Sequence, residues 1–192
     1  MLKRICVFCG SSAGSRPAYA ATAVSLAQQL AARKIGVVYG GSRVGLMGLL
    51  ADAALAAGGQ VIGVIPRALV AKEVAHTGLS DLRVVESMHA RKALMADLSD
   101  AFIALPGGFG TLDEFCEILT WTQLGLQRGP CGLLNVEGYY DRLLDMFDHA
   151  EAERFIQPEH RRMVIAEDNP ESLIARLLES DGKPMVEKWI KT

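Results

Sequence analysis

The stretch Leu105–Glu114, LPGGFGTLDE, sets three glycines and a threonine just ahead of two carboxylates. Glycine-rich turns leave backbone N–H groups free to approach an anion, and a helix beginning behind such a turn adds unpaired donors and a partial positive charge. Phosphate suits that end of the stretch. Asp113 and Glu114 are negative and suit a cation or a proton. Two readings are open from spacing alone. Thr111-Leu112-Asp113-Glu114 matches a T-x-x-E capping box, in which Glu114 reaches back to a free N–H of its own helix. Otherwise the acids face a reacting centre on a phosphorylated ligand.

Two more turns of this kind follow apolar runs, CGSSAGS (9–15) and YGGSRVGLMG (39–48), the second with Gly40, Gly41 and Gly45. A basic segment, SMHARK (87–92), places Arg91 and Lys92 ahead of the apolar run that ends at Leu105. On spacing alone these two are equally a solvated face. His89 has no visible partner. A pyridoxal-phosphate lysine in this segment is disfavoured, because such a lysine needs a cofactor pocket of which a chain this short shows no other sign.

Short β-branched runs alternate with helix-period segments. Strands are expected at 5–9, 35–39, 60–65, 82–86, 101–105, 131–136 and 163–166. Helices are expected at 17–33, 44–57, 88–98, 111–124, 143–150 and 170–180, with a long polar loop after Pro66. That alternation implies an α/β fold, a Rossmann-like doubly wound and mainly parallel sheet with helices on both faces. In such sheets the ligand sits beyond the carboxyl ends of the strands, where all three glycine turns fall. The expected organisation is one nucleotide-binding domain over residues 1–180, with 181–192 as an appended tail.

Composition narrows the class. The formal net charge is −2 over 192 residues, so nothing asks for nucleic acid or a membrane. No apolar run is long enough to span a bilayer, and the N-terminus runs into a strand without a leader pattern. A cytoplasmic protein is expected. Of four cysteines, Cys6 and Cys9 form a C-x-x-C on a strand, where residues three apart face opposite sides. They are expected to be reduced and structural, with Cys116 and Cys131 in the core. No metal-ligand spacing is present. Neither G-x-x-x-x-G-K-[ST] nor G-x-G-x-x-G after the first strand occurs, which disfavours P-loop and dinucleotide chemistry and leaves a mononucleotide or sugar phosphate.

YGGSRVGLMG, SMHARK and PGGFGTLDE, in this order and spacing, resemble the LONELY GUY (LOG) family, cytokinin riboside 5′-monophosphate phosphoribohydrolases whose members often carry the label "possible lysine decarboxylase". The resemblance covers residues 3–178. Its mark, P-G-G-x-G-T-x-x-E, is met by Pro106, Gly107, Gly108, Gly110, Thr111 and Glu114. It implies phosphate on Gly107, Gly108, Gly110 and Thr111, with Glu114 as base or electrostatic stabiliser at the anomeric carbon and Arg91 as its catalytic partner. Lys92 stands beside that arginine among the substrate-binding residues. Asp113 and Glu73 would hold ribose hydroxyls or the base edge, and Gly40, Gly41 and Gly45 would shape the pocket wall. No metal or organic cofactor is implied, and a homodimer or larger homo-oligomer is. Two positions depart from the family pattern. Ser42 replaces a third glycine, which would be strained if that position needs positive φ, and Asp113 stands where glutamate is common. An AMP nucleosidase and a nucleotide or cofactor carrier without turnover remain as alternatives.

Overall fold

The computed structural model describes residues 2–70, 72, 74–79 and 81–180. The tail 181–192 and Glu73 lie outside the described residues.

Seven strands form one sheet: β1 (Arg4–Phe8), β2 (Gly36–Tyr39), β3 (Val61–Pro66), β4 (Asp81–Val85), β5 (Ala101–Ala104), β6 (Cys131–Leu134) and β7 (Val164–Glu167). Every neighbouring pair is parallel, in the order β4-β3-β2-β1-β5-β6-β7. Parallel strands need crossovers, and helices supply them on both faces. Helices α1 (Pro17–Ala32), α2 (Gly45–Ala56) and α8 (Pro170–Ser180) cover one face. Helices α4 (Met88–Asp97), α5 (Phe109–Gln123) and α6 (Asp141–Ala152) cover the other. Among the described residues there are also short helices α3 (Arg67–Val70) and α7 (Pro158–Arg161) and a 3-10 turn at Val136–Gly138.

Strand β1 shows why the inner strands read as continuous apolar runs. Ile5, Val7 and Cys9 pack into the core beneath α1 and α2, while Cys6 and Phe8 pack into the core beneath α4 and α5. The C-x-x-C is thus split between two cores. Burial raises the pKa of both thiols, so both stay protonated and unreactive. Cys131 is buried too, its thiol pushed up to about 12. Cys116 is exposed, contrary to its expected core position. It sits on the outer side of α5, one residue past the buried pair Glu114 and Phe115.

The chain winds outward from β1 to β4, then returns to place β5 on the other side of β1. The turns after β1 and β5 therefore diverge at a topological switch point, where doubly wound sheets open a crevice.

Candidate active site

The glycine turns meet at that crevice and are tied together. The Gly10 N–H donates to the Pro106 carbonyl at 3.1 Å, joining the first turn to the third. The Leu46 N–H donates to the Gly10 carbonyl at 3.0 Å, joining the second to the first. Gly45 has φ of +59°, and a Cβ there would overlap the backbone of Ser11 and Ser12. Only glycine allows that approach. Between the turns lies a cleft of about 280 Å³, lined by Ser11, Ser12, Tyr19, Pro106, Gly108 and Tyr139 among others.

Helix α5 starts earlier than the sequence suggests. Gly108 is extended (φ −92°, ψ −155°) and caps the helix without a side-chain hydrogen bond. Phe109 is thus the first helical residue, and Asp113 and Glu114 fall in the second turn. The T-x-x-E capping box does not form. Thr111 is buried against Gly107, and Glu114 turns to another helix. The opening N–H groups of α5 have no intrahelical acceptor. Gly108 and Gly110 are exposed, with nothing within 4 Å of where a Cβ would stand. The turn leaves room for an anion on its donors.

Glu114 meets Arg91. An Arg91 Nη1 lies 3.0 Å from Glu114 Oε1, and the two side chains are only 10% and 8% exposed. Arg91 is one turn inside α4, whose N-terminus is capped by Ser87 Oγ accepting from the Ala90 N–H at 3.1 Å. Its Nε donates to the Val64 carbonyl of β3 at 3.2 Å. The guanidinium thus spans from α4 across the strand ends to α5. Gly40 makes the passage possible, because a Cβ there would overlap Arg91 Nη2. Burial raises the Glu114 pKa above its ordinary 4.5, Arg91 pulls it back down, and Asp113 raises it further.

Lys92 points elsewhere. Its Nζ lies 3.1 Å from Asp113 Oδ2 and 3.0 Å from Glu117 Oε2. Burial lowers its pKa, but the bonds to Glu117 and Asp113 outweigh that and leave it raised, so it is a firm cation. The structure thus pairs Arg91 with Glu114 in a buried bridge, and Lys92 with Asp113 and Glu117 in a more open one. His89 is exposed on α4. Trp121 packs at the far end of α5, beside Leu126 and Arg128, away from the glycine turns.

Gly40 and Gly41 are buried in the second turn. The next residue, Ser42, has no positive φ and is unstrained. Its Oγ donates to the Val74 carbonyl at 3.0 Å and accepts from the Val44 N–H at 3.4 Å. The Arg43 N–H also donates to Val74 O, and the His76 N–H to Gly41 O, both at 2.9 Å. His76 Nδ1 accepts from the Gly78 N–H at 3.2 Å, leaving Nε2 as the donor to Asp52 Oδ1 at 2.9 Å. Val74 and His76 are therefore fastened to the second turn.

Sequence reasoning passed over Tyr139 and Tyr140. Tyr140 donates to the Leu105 carbonyl at 2.6 Å and Tyr139 to the Gly107 carbonyl, holding the third turn from behind. Tyr19 packs edge-on against Tyr139. The pair Tyr-Tyr just past an apolar run was the signal available.

Comparison with known proteins bears on this arrangement. The family model described as "Possible lysine decarboxylase" matches residues 47–177. The rice (Oryza sativa subsp. japonica) protein named "Probable cytokinin riboside 5'-monophosphate phosphoribohydrolase LOGL9" is 52% identical over 177 residues, 92% of this chain and 78% of that one. "Cytokinin riboside 5'-monophosphate phosphoribohydrolase LOG7" of Arabidopsis thaliana is 50% identical over 177 residues, 92% of this chain and 82% of its own. The chain belongs to the LONELY GUY family. Among solved structures, the molybdenum cofactor binding protein of Rippkaea orientalis superposes with a TM-score of 0.71 at 24% identity, over 93% of this chain and 97% of that one. The molybdenum cofactor carrier protein of Chlamydomonas reinhardtii gives 0.73 at 22%, over 95% and 100%. These last two share the Rossmann-like fold of the LONELY GUY chain, and at that identity the likeness extends to the fold alone. Among the described residues of this family member, no group of three or more His, Cys, Asp or Glu could hold a metal ion, and no helix is long and apolar enough to cross a membrane.

Proposed function

We propose that this chain hydrolyses the N-glycosidic bond of a cytokinin riboside 5′-monophosphate, releasing the free base and ribose 5-phosphate. The observation that carries the reading is the buried Arg91–Glu114 pair set beside a glycine turn with free N–H donors. A carrier needs the turn but has no use for a desolvated carboxylate. About half of the sequence is shared with proteins named for this reaction.

The substrate phosphate binds the N–H groups at Gly108, Phe109, Gly110 and Thr111. From Thr111 to Glu114 the helix rises about 4.5 Å, so the ribose extends from the phosphate toward the carboxylate. As the bond from C1′ to the base nitrogen breaks, its electron pair leaves with the base, and positive charge builds on C1′ and the ring oxygen. Glu114 stabilises that charge and accepts a proton from the attacking water, whose oxygen bonds to C1′. The proton Glu114 takes from the water is given up through solvent to the leaving nitrogen, which regenerates the carboxylate and leaves neutral base and ribose 5-phosphate. Arg91 keeps Glu114 ionised in a site that would otherwise protonate it. In this reading Asp113, held by Lys92, binds ribose hydroxyls or the base edge, a role shared with Glu73. The active species in this reading is a homodimer or larger homo-oligomer, which sedimentation equilibrium would test directly.

Released base is the test. Purified protein is offered N6-isopentenyl AMP, AMP and the prenylated riboside without phosphate, and products are separated by chromatography. Base should appear fastest from the prenylated nucleotide, and the riboside should be at least ~100-fold slower, because phosphate binding is spent on the reacting centre. Equal rates with AMP would make the protein an AMP nucleosidase. Nucleotide binding with no base released would make it a carrier.

A further inference from the structure

Each carbonyl of the third turn has a donor. Leu105 O accepts from Tyr140 Oη at 2.6 Å, Pro106 O from the Gly10 N–H at 3.1 Å, and Gly107 O from Tyr139 Oη at 2.5 Å. Gly108 O is taken by the Leu112 N–H of α5 at 3.1 Å. Four successive oxygens are thus engaged just ahead of a helix whose first N–H groups have no intrahelical acceptor. A carbonyl oxygen swung loose into that place would repel an anion.

The four bonds differ in kind. Those to Pro106 and Gly108 run from backbone to backbone. Tyr140 is 2% exposed and belongs to the core with Phe8 and Phe115. Tyr139 is 41% exposed and lines the cleft beside Gly107 and Gly108. The peptide it holds has glycine on each side, so sterics alone do little to fix its orientation. That peptide is trans, and its N–H points opposite to its C=O.

Tyr139 is itself set firmly. The 3-10 turn before it takes Glu137 to φ +50° and Gly138 to φ +73°. A left-handed residue with a side chain is uncommon, and here the Glu137 carboxylate meets Arg16 Nη1 at 2.9 Å, across from the start of α1. The Tyr139 ring lies edge-on to Tyr19 and to Tyr140, with centroids 5.7 and 4.9 Å apart.

We propose that Tyr139 is a positioning residue for the substrate's 5′-phosphate. Its hydroxyl fixes the Gly107–Gly108 peptide with the oxygen turned back, and so turns the Gly108 N–H to the anion. The donors are then aimed before substrate arrives. Without the hydroxyl the peptide is free to turn, and binding has to bring it back. Tyr139 acts through that peptide and not on a reacting atom. The proposal rests on the phosphate placement given above and adds what keeps its donors aligned.

Tyr139→Phe keeps the ring and removes the hydroxyl. Ribose 5-phosphate, titrated by calorimetry, should bind the variant at least ~5-fold more weakly than the parent, with the circular dichroism unchanged. The ratio of kcat/KM for N6-isopentenyl AMP to that for its riboside should also fall at least ~5-fold. A merely structural role would lower both rates and leave the ratio, and an unchanged ratio would overturn the proposal. So would equal affinity for ribose 5-phosphate in parent and variant. Binding needs no chemistry, so a protein that releases no base, yet loses ribose 5-phosphate affinity on Tyr139→Phe, would sink the hydrolase reading and keep this one. Should the variant fail to fold, the isotope-labelled parent decides. Its Gly108 amide resonance should shift on titration with ribose 5-phosphate, and an unmoved Gly108 resonance would overturn the assignment.

Discussion

Glu114 stands between two opposed influences. Burial favours its neutral form, and the Arg91 guanidinium 3.0 Å away favours its charged form. Burial is the larger, and the pKa ends above 4.5. In the proposed reaction the working form is the carboxylate. Activity is therefore present above that raised pKa and is lost as pH falls through it. The acid limb of kcat should lie at higher pH than an ordinary glutamate would give. Replacing Arg91 with Gln removes the charge that lowers the pKa, so the limb should move to still higher pH while the maximum rate falls. An unmoved limb would contradict the pairing. Arg91→Ala should also destabilise the fold by about 3 kcal/mol, because it strands a buried carboxylate. Gly40→Ala tests the same contact from the other side. Its methyl overlaps Arg91 Nη2, so turnover should fall by about 10-fold or more with the circular dichroism unchanged.

At the scale of elements, the site depends on three turns that fasten one another. Gly45→Ala combines a positive φ with overlap against Ser11 and Ser12. A cost of about 2 kcal/mol follows, which for a chain of this size is a fall in Tm of about 4–8 °C. A thermal scan that shows no change would mean the first two turns are not locked. The strands and the long helices were legible in the sequence, because their apolar periods run for many residues. Helices α3 and α7 were not, since four residues carry no period. The start of α5 was misplaced for a related reason. Thr111 reads as a cap, but Gly108 takes the extended cap conformation and the helix enters two residues sooner. Chain-distant partners are silent in sequence: the ties of Ser42 to Val74, Tyr139 to Gly107 and Arg91 to Val64 each span at least 27 residues. The pairing of Lys92 with Asp113 and Glu117 was equally hidden. The residue types around the site were readable, and their partnerships were not.

For the whole molecule, the sheet runs through both cores. Neighbouring residues of β1 feed opposite faces, so neither core can melt while the other survives. Thermal unfolding should be one cooperative transition, with far-ultraviolet dichroism and tryptophan fluorescence coincident. Separate transitions would divide the domain proposed for residues 1–180. The same sheet explains how one fold serves a family with this chemistry and, at low identity, cofactor carriers. The switch point between β1 and β5 provides a crevice for any phosphorylated ligand. This chain sets a buried acid and arginine into that crevice, the pair that in the proposed reading separates turnover from carriage.

The most direct test of that distinction is Glu114→Gln. The substitution keeps the size of the side chain and an oxygen for Arg91, and removes the charge. Nucleotide affinity, read by calorimetry, should stay within a few-fold of the parent, while base release should fall at least ~100-fold. A Glu114→Gln protein that releases base at the parent rate would show that the carboxylate does not carry the reaction.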